Sequence, residues 1–160
     1  MEKEILRILE QNASLTPESI AQTLGEDCEK VRRIIAELEE KQIIVAYKAV
    51  INWDKADKDL VTALIDLKIT PQLGKGFDRV AEKIYQFPHV KSVYLMSGGY
   101  DLSVTIEGRS MKDVALFVAE KLAPMECVLS TTTHFILKKY KDGGIVLEHG
   151  NVDGRQMITL

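Results

Sequence analysis

The segment SGGYDLSVTIEG, residues 97–108, joins two strand-like runs through a pair of glycines. The run before it is residues 93–96, and the run after it alternates apolar and polar positions, with apolar Leu102, Val104 and Ile106. This pattern predicts a β-hairpin. Gly98 and Gly99 permit positive φ and a close approach of another group to the backbone. Asp101 then lies at the rim of the predicted sheet, where either a small polar ligand or a plain turn would account for it.

The hairpin lies inside a longer alternation of strands and helices. Residues 60–70 form a strand with Ala63, Ile65, Leu67 and Ile69 on one face. An amphipathic helix follows from Phe77 and stops before Pro88, and Ser110 begins another helix as its N-cap. A final strand is expected over residues 128–140. The order β-α-β-β-α-β predicts an α+β, ferredoxin-like fold.

This topology predicts an antiparallel sheet with helices on one face only. The uncovered face needs a partner, and a second copy of the same sheet is the simplest candidate. Residues 52–59 are the best candidate for a linker before this unit. After it, the segment 145–147 either adds a strand or remains irregular.

The first fifty residues read as three helices. Residues 2–11 form the first, and Thr16-Pro17 marks the start of the second, which Gly25 ends. The third runs from about residue 28 to 41, with an apolar stripe at Val31, Ile34, Ile35 and Leu38. The second and third helices form a helix-turn-helix pattern. The β-branched residues of 43–51 predict a connecting strand.

Composition limits the class of protein. The chain has 160 residues, 46% of them apolar and 28% charged, and a net charge of −3. Residues 1–55 hold 8 Lys or Arg against 11 Asp or Glu, so nucleic-acid binding would have to come from a local patch or from an oligomer. The absence of a long apolar run and of a secretory signal, with two distant cysteines, predicts a cytoplasmic protein with reduced thiols and no membrane partner.

Signatures of enzymes and metal sites are absent from the sequence. The three histidines share no ligand spacing with the cysteines, and there is no phosphate-binding glycine loop or nucleophile elbow. We therefore expect no catalytic residue, no metal and no cofactor.

The order of these elements resembles the leucine-responsive/asparagine-regulator (Lrp/AsnC, feast/famine) family of prokaryotic transcription regulators, over about residues 2–140. Four segments carry the resemblance: 24–44, 47–50, 93–102 and 130–137. The resemblance implies a DNA-binding helix-turn-helix domain with a connecting strand at 1–52. It also implies a domain at 53–160 that binds an effector and builds a homodimer, or a tetramer or octamer of dimers.

Effectors in this family are typically amino acids, held between subunits near a Gly-x-x-Asp turn. The matching positions here are Gly98, Gly99, Tyr100 and Asp101, where backbone amides could hold a carboxylate and the aspartate an ammonium. Weaker candidates come from the start of the neighbouring strand, at Thr131, Thr132 and Thr133. The alternative is that Gly98, Gly99 and Asp101 only form the hairpin turn and contact another subunit, and that no ligand binds there.

Contacts to double-stranded DNA are expected from cations on and after the third helix: Lys30, Arg32, Arg33, Lys41 and Lys48. Helical geometry turns Glu29, Arg33 and Ala36 most directly outward. Acidic neighbours on this helix would weaken binding that depends on phosphate neutralisation. The alternative is an effector-sensing oligomer whose helix-turn-helix binds DNA weakly or serves only in packing.

The same two-part architecture also resembles sirohaem decarboxylases, which act on a tetrapyrrole. Such a site would need basic and histidine side chains around a large cavity, and the sequence provides only scattered candidates such as His134 and Arg109. The regulator is therefore the preferred interpretation.

Overall fold

The computed structural model describes residues 1–56, 60–70 and 76–147. The chain divides into two compact units, Met1–Ile51 and a second that begins at Asn52. The helices of the first unit are α1 (Glu2–Gln11), α2 (Pro17–Leu24) and α3 (Cys28–Glu40). After a 3₁₀ turn at Trp53–Ala56, the second unit contains β1 (Val61–Ile69), α4 (Asp78–Tyr85), β2 (Val90–Leu95), β3 (Leu102–Gly108), α5 (Met111–Phe117), a π-helical turn (Val118–Leu122), β4 (Val128–Phe135), β5 (Lys141–Asp142) and β6 (Ile145–Val146).

The ends of α2 and α3 follow from local chemistry. The Thr16 side chain accepts the amide of Ser19 at the start of α2, with Pro17 in the first turn. Gly25 ends the helix with φ of 67°, a left-handed conformation that glycine adopts at least cost. Asp27 then accepts the amide of Lys30 at 2.9 Å and begins α3. The predicted three helices and helix-turn-helix pattern are confirmed.

The three helices share one small apolar core. Ile5, Ile20 and Val31 come from different helices, and each is fully buried. Burying such a side chain contributes about 1.5–3 kcal/mol, so three well-packed residues are significant for a unit of this size. The apolar stripe of α3 faces this core, which leaves the opposite side of the helix to solvent.

The prediction of a connecting strand at residues 43–51 is wrong, because the described chain forms no strand there. The amides of Ile43 and Ile44 both bond the carbonyl of Leu38, at 2.9 and 3.1 Å, and close the end of α3. Residues 45–51 pair with no other strand of the described chain, and Val45 is 79% exposed. β-branched residues favour extended backbone, but a strand forms only where a partner accepts its hydrogen bonds.

The second unit is built on an antiparallel sheet of four strands in the order β2-β3-β1-β4. The two central strands pair Ile65 with Val104 and Leu67 with Leu102. One face of the sheet packs against the helices in a core whose buried members are Ala63, Ile65, Leu67, Ile69, Val80, Ile84, Leu102, Val104, Ile106, Val114, Val118 and Leu122. The predicted α+β, ferredoxin-like arrangement is confirmed, including Ser110 as the N-cap of α5.

One strand prediction near the end of the chain needs correction, and one open question is settled. β4 ends at Phe135, five residues before the predicted Tyr140, although the amide of Ile136 still bonds the carbonyl of Thr62 at 2.9 Å. The chain then leaves the sheet. Of the two alternatives for residues 145–147, the strand is the one that forms: β6 pairs with β5 in a two-stranded hairpin, separate from the four-stranded sheet among the described residues.

Among the described residues, no helix of this unit packs on the other face of the four-stranded sheet. Leu64, Asp66 and Lys68 of β1 lie on this open face, with Tyr94 of β2 and Thr132 of β4. Tyr94 is 58% exposed and Leu64 is 37% exposed. Within the described ranges, no helix combines the length and apolarity required to cross a bilayer.

Candidate functional site

Gly98 and Gly99 lie in the turn between β2 and β3, with open space around them. Neither backbone φ is in the left-handed region, and a Cβ built at either position would meet no atom of the described chain within 4 Å. Conformation and intrachain packing therefore do not require glycine here. What glycine leaves at this turn is bare backbone, which a group from outside the chain can approach closely.

Asp101 follows the turn and is bonded to the end of β1. Its carboxylate accepts the amide of Ile69 at 2.9 Å and lies 3.4 Å from the ammonium of Lys68. The Ile69 amide, and secondarily Lys68, lower the pKa of Asp101 below its ordinary value, against the opposing effect of partial desolvation. The side chain is therefore ionised at neutral pH, and two groups of β1, the Ile69 amide and Lys68, already use part of its hydrogen-bonding capacity.

Tyr100 and Thr132 are brought together by the sheet. Their hydroxyl groups lie 2.7 Å apart, and both side chains are half-buried. Thr131 and Thr133 are placed differently, because they pair with Leu67 and Ile65 and therefore lie on the face that the helices cover. The structure thus joins one of the three predicted threonines to Tyr100 and directs the other two away from the open face.

Four residues of β1 and β4 that form polar contacts at the turn or on the open face were not among the predicted site residues. Lys68 and the Ile69 amide hold Asp101, and His134 on β4 lies 3.2 Å from the Asp66 carboxylate. The alternation of β1 already separates Asp66 and Lys68 from its apolar face. The register that brings His134 beside Asp66 could not be obtained from that alternation.

The groups that lie at or beside the turn itself are the bare amides of Gly98 and Gly99, the Asp101 carboxylate, the Lys68 ammonium and the hydroxyl pair of Tyr100 and Thr132. These groups are complementary to a zwitterion, whose carboxylate would bind amides or Lys68 and whose ammonium would bind Asp101. Asp101 retains acceptor capacity because each carboxylate oxygen can accept more than one hydrogen bond.

The solvent side of α3 is the second candidate site. Glu29, Arg33 and Ala36 are exposed on it, as predicted, while Val31 and Ile35 are buried on the opposite side. Arg33 makes no ion pair within the described parts of the chain. Its guanidinium is therefore available to bind a phosphate or the edge of a guanine.

The other cations of α3 have carboxylate partners. Lys30 pairs with Glu26 at 2.9 Å, and Lys41 lies 3.8 Å from Glu37. Arg32 pairs with Glu18 of α2 and lies 3.7 Å from Glu29. These pairs are at least partly exposed and therefore weak, but each reduces the positive potential that a phosphate would meet. Lys48 lies beyond α3 and is exposed.

Metal-binding groups are not assembled in the described residues. No three histidine, cysteine or acidic side chains among them are placed to hold an ion, and Cys28 and Cys127 are free thiols.

Comparisons with known proteins agree with this architecture. The Lrp/AsnC ligand binding domain matches residues 62–146. YugG of Bacillus subtilis strain 168, an HTH-type transcriptional regulator, is 53% identical over 159 residues, which cover 99% of this chain and 96% of YugG. The HTH-type transcriptional regulator LrpA of Pyrococcus horikoshii is 34% identical, covering 88% of this chain and 96% of LrpA. The solved complex of the transcriptional regulator NMB0573 with L-Met, from Neisseria meningitidis, has a TM-score of 0.70 at 22% identity, covering 88% of this chain and 90% of that one.

Proposed function

This chain belongs to the Lrp/AsnC family of transcriptional regulators, and on that basis we propose that it binds operator DNA and responds to an amino acid. The observation that carries the proposal is the 53% identity to a helix-turn-helix regulator along 99% of the chain. That similarity spans both units, so it concerns the DNA-binding part as well as the effector-binding part.

We assign DNA binding to residues 1–52. α3 enters the major groove with Arg33 as the principal contact, because Arg33 is exposed and unpaired within the described residues. Lys30, Arg32, Lys41 and Lys48 supply weaker contacts to phosphates. The acidic partners of three of these cations lower the affinity of a single unit, so binding depends on the several units of an oligomer.

We assign effector binding and assembly to residues 53–160. The effector lies at the Gly98–Asp101 turn between subunits, with Tyr100 and Thr132 beside it. The proposal rests on the unobstructed glycines and the ionised Asp101. L-methionine is the first amino acid to test, because a regulator of the same fold was solved with it.

The open face of the sheet forms a homodimer, and dimers associate further into tetramers or octamers. Leu64 and Tyr94 supply exposed apolar surface for the first contact. An effector shared by two subunits favours the arrangement that binds it better, which changes the spacing of the α3 helices on DNA.

The protein acts in the cytoplasm, where its DNA is, and it is not an enzyme. The named relatives are transcriptional regulators, and nothing in the described residues favours a tetrapyrrole enzyme. A colourless preparation that does not bind tetrapyrrole would agree with this assignment.

A gel-shift assay tests the DNA-binding half of the proposal. The wild-type protein should retard a fragment upstream of its own gene, with an affinity that falls as salt rises. Arg33→Ala should weaken binding by about tenfold or more, because it removes a direct groove contact. Arg109→Ala, an exposed change in the other unit, serves as the matched control. Absence of salt-sensitive binding at any protein concentration would contradict the proposal.

Thermal-shift measurements with each of the twenty amino acids test the effector half separately. At least one should raise the melting temperature, because a ligand that binds only the folded state stabilises it. Twenty silent titrations would reject amino-acid sensing and leave the DNA-binding result standing.

A further inference from the structure

A groove of about 840 Å³ lies on the helical side of the second unit, between α4 and the chain that leads into β4. Its volume falls within the range of sites for small organic ligands. The groove is lined by different residues from the turn at 98–101 and from the open face of the sheet. The functions proposed above therefore do not use it.

The rim of the groove is cationic. Arg79 and Lys83 lie one helical turn apart on α4 and so project from the same side, and Lys121 also lines the groove. All three are exposed, and none has an ion-pair partner within the described residues. Glu126 is the single carboxylate among the described lining residues. Three cations around one cavity repel one another, and a bound anion would relieve that repulsion.

The floor of the groove is apolar and well supported. Val80 is buried, with 8% exposed, and Phe87 and Met125 lie beside it. The ring of Phe87 packs edge-on against Phe117 of α5, with centroids 5.3 Å apart and an interplanar angle of 87°. This contact fixes the position of the floor between the two helices.

Lys121 lies in a π-helical turn, which is a rare backbone conformation. It belongs to the π-helical turn Val118–Leu122, and the amide of Ala123 bonds the carbonyl of Val118 at 2.8 Å. π-helical turns are rare and frequently occur at functional sites, because the extra residue changes the direction of the side chains on the helix. Here the turn supplies the third cation that lines the groove.

We propose that this groove binds a small organic anion with an apolar body, whose carboxylate or phosphate lies among Arg79, Lys83 and Lys121. The apolar body rests on Val80, Phe87 and Met125. A ligand bound in the groove regulates the protein through a second site, separate from the turn at 98–101 to which we assign the amino acid.

Competition with cysteine alkylation tests the proposal on the intact protein. Cys127 lines the groove, whereas Cys28 lies in α3, so mass spectrometry of the digested protein reports a groove thiol and an internal control together. Octanoate and hexyl phosphate should slow the alkylation of Cys127 by iodoacetamide, with no change at Cys28. Octan-1-ol, which has the same apolar body without the charge, should protect far less.

Calorimetric titration of octanoate into variants identifies the cations. Lys121→Gln and Arg79→Gln should each weaken binding by about three- to tenfold, as expected for partly exposed charge-assisted contacts. Lys112→Gln, an exposed change on α5 outside the groove, should leave the affinity unchanged.

Three results would overturn the proposal. The first is that neither anion binds, and the second is that octanoate and octan-1-ol bind equally, which would mean an apolar patch alone. The third is that Lys121→Gln weakens DNA retardation while octanoate binding is unchanged, which would make the rim a contact to phosphates of DNA. Because none of these readouts uses amino acids, the turn at 98–101 is tested independently.

Discussion

The backbone amide of Ile69 donates a hydrogen bond of 2.9 Å to the carboxylate of Asp101, which joins the end of β1 to the turn before β3. A second bond supports the first, because the amide of Asp101 donates to the carbonyl of Leu67, also at 2.9 Å. The residue that the family resemblance assigns to an effector is therefore also a structural link between two central strands. The turn is positioned by its own sheet before any ligand binds.

Asp101→Asn tests that link through pH. The folded-state pKa of Asp101 is depressed, so its ionisation stabilises the fold above the ordinary value of 3.8, and this contribution is lost as pH falls through the folded-state pKa. Urea denaturation at pH 7 should therefore show a lower midpoint for Asp101→Asn than for the wild type. The difference should begin to narrow as pH falls below about 4 and should close once the pH is below the folded-state pKa. A gap that persists unchanged at pH 2 would assign the effect to packing alone.

Gly99→Ala separates the fold from the binding site. Gly99 has no left-handed φ, and a Cβ there would meet no atom of the described chain within 4 Å, so alanine should leave the free energy of unfolding unchanged or raise it by up to about 1 kcal/mol. The amino-acid-induced thermal shift should nevertheless be lost, because the new methyl group occupies the approach to the backbone.

Gly25→Ala is the matched control for that variant. Gly25 has φ of 67°, so alanine there should lower the free energy of unfolding by about 1 kcal/mol and leave the amino-acid response intact. If Gly99→Ala retains the full response, the turn is a plain hairpin and the effector site lies elsewhere.

Tyr100→Phe measures the hydroxyl pair with Thr132. The pair is half-buried at 2.7 Å, and its loss should reduce the free energy of unfolding by about 1 kcal/mol in chemical denaturation. Tyr85→Phe is the comparison, since Tyr85 is 58% exposed and has no side-chain hydrogen bond within the described residues. Equal effects of the two substitutions would show that the Tyr100–Thr132 contact contributes nothing.

Glu18→Gln should strengthen DNA binding. The substitution removes the Glu18 partner of Arg32, which leaves only Glu29 at 3.7 Å within the described chain, and it removes a negative charge from α2 beside α3. We expect affinity to rise by about two- to fivefold, with a steeper dependence on salt, because one more cation neutralises phosphate. Glu10→Gln in α1, also exposed, controls for net charge. An equal gain in both variants would mean that Arg32 has no specific part.

Local signals in the sequence predicted the elements well. Thr16-Pro17, Gly25 and Ser110 mark helix ends through hydrogen bonds or φ values that depend on a few neighbouring residues. The alternation of β1 identified its buried face, and the order of strands and helices was sufficient for the ferredoxin-like topology. These features are encoded within a few residues of each position.

Features that depend on register or on a partner could not be predicted. Grouping Thr131, Thr132 and Thr133 ignored the two-residue period, which places Thr132 alone on the open face. The bond from Ile69 to Asp101 joins residues 32 positions apart and has no sequence signature. Residues 43–51 have the composition of a strand, but no strand forms there because no other strand of the described chain pairs with them.

The mass of the assembly in solution, measured by light scattering with and without each amino acid, tests the central claim most directly. We predict that the wild-type protein forms dimers or larger assemblies of dimers, and that at least one amino acid, with L-methionine tested first, changes the mass at a fixed protein concentration. We predict no such change for Gly99→Ala. A mass that no amino acid alters, or a change that Gly99→Ala retains in full, would contradict an effector site at this turn between subunits.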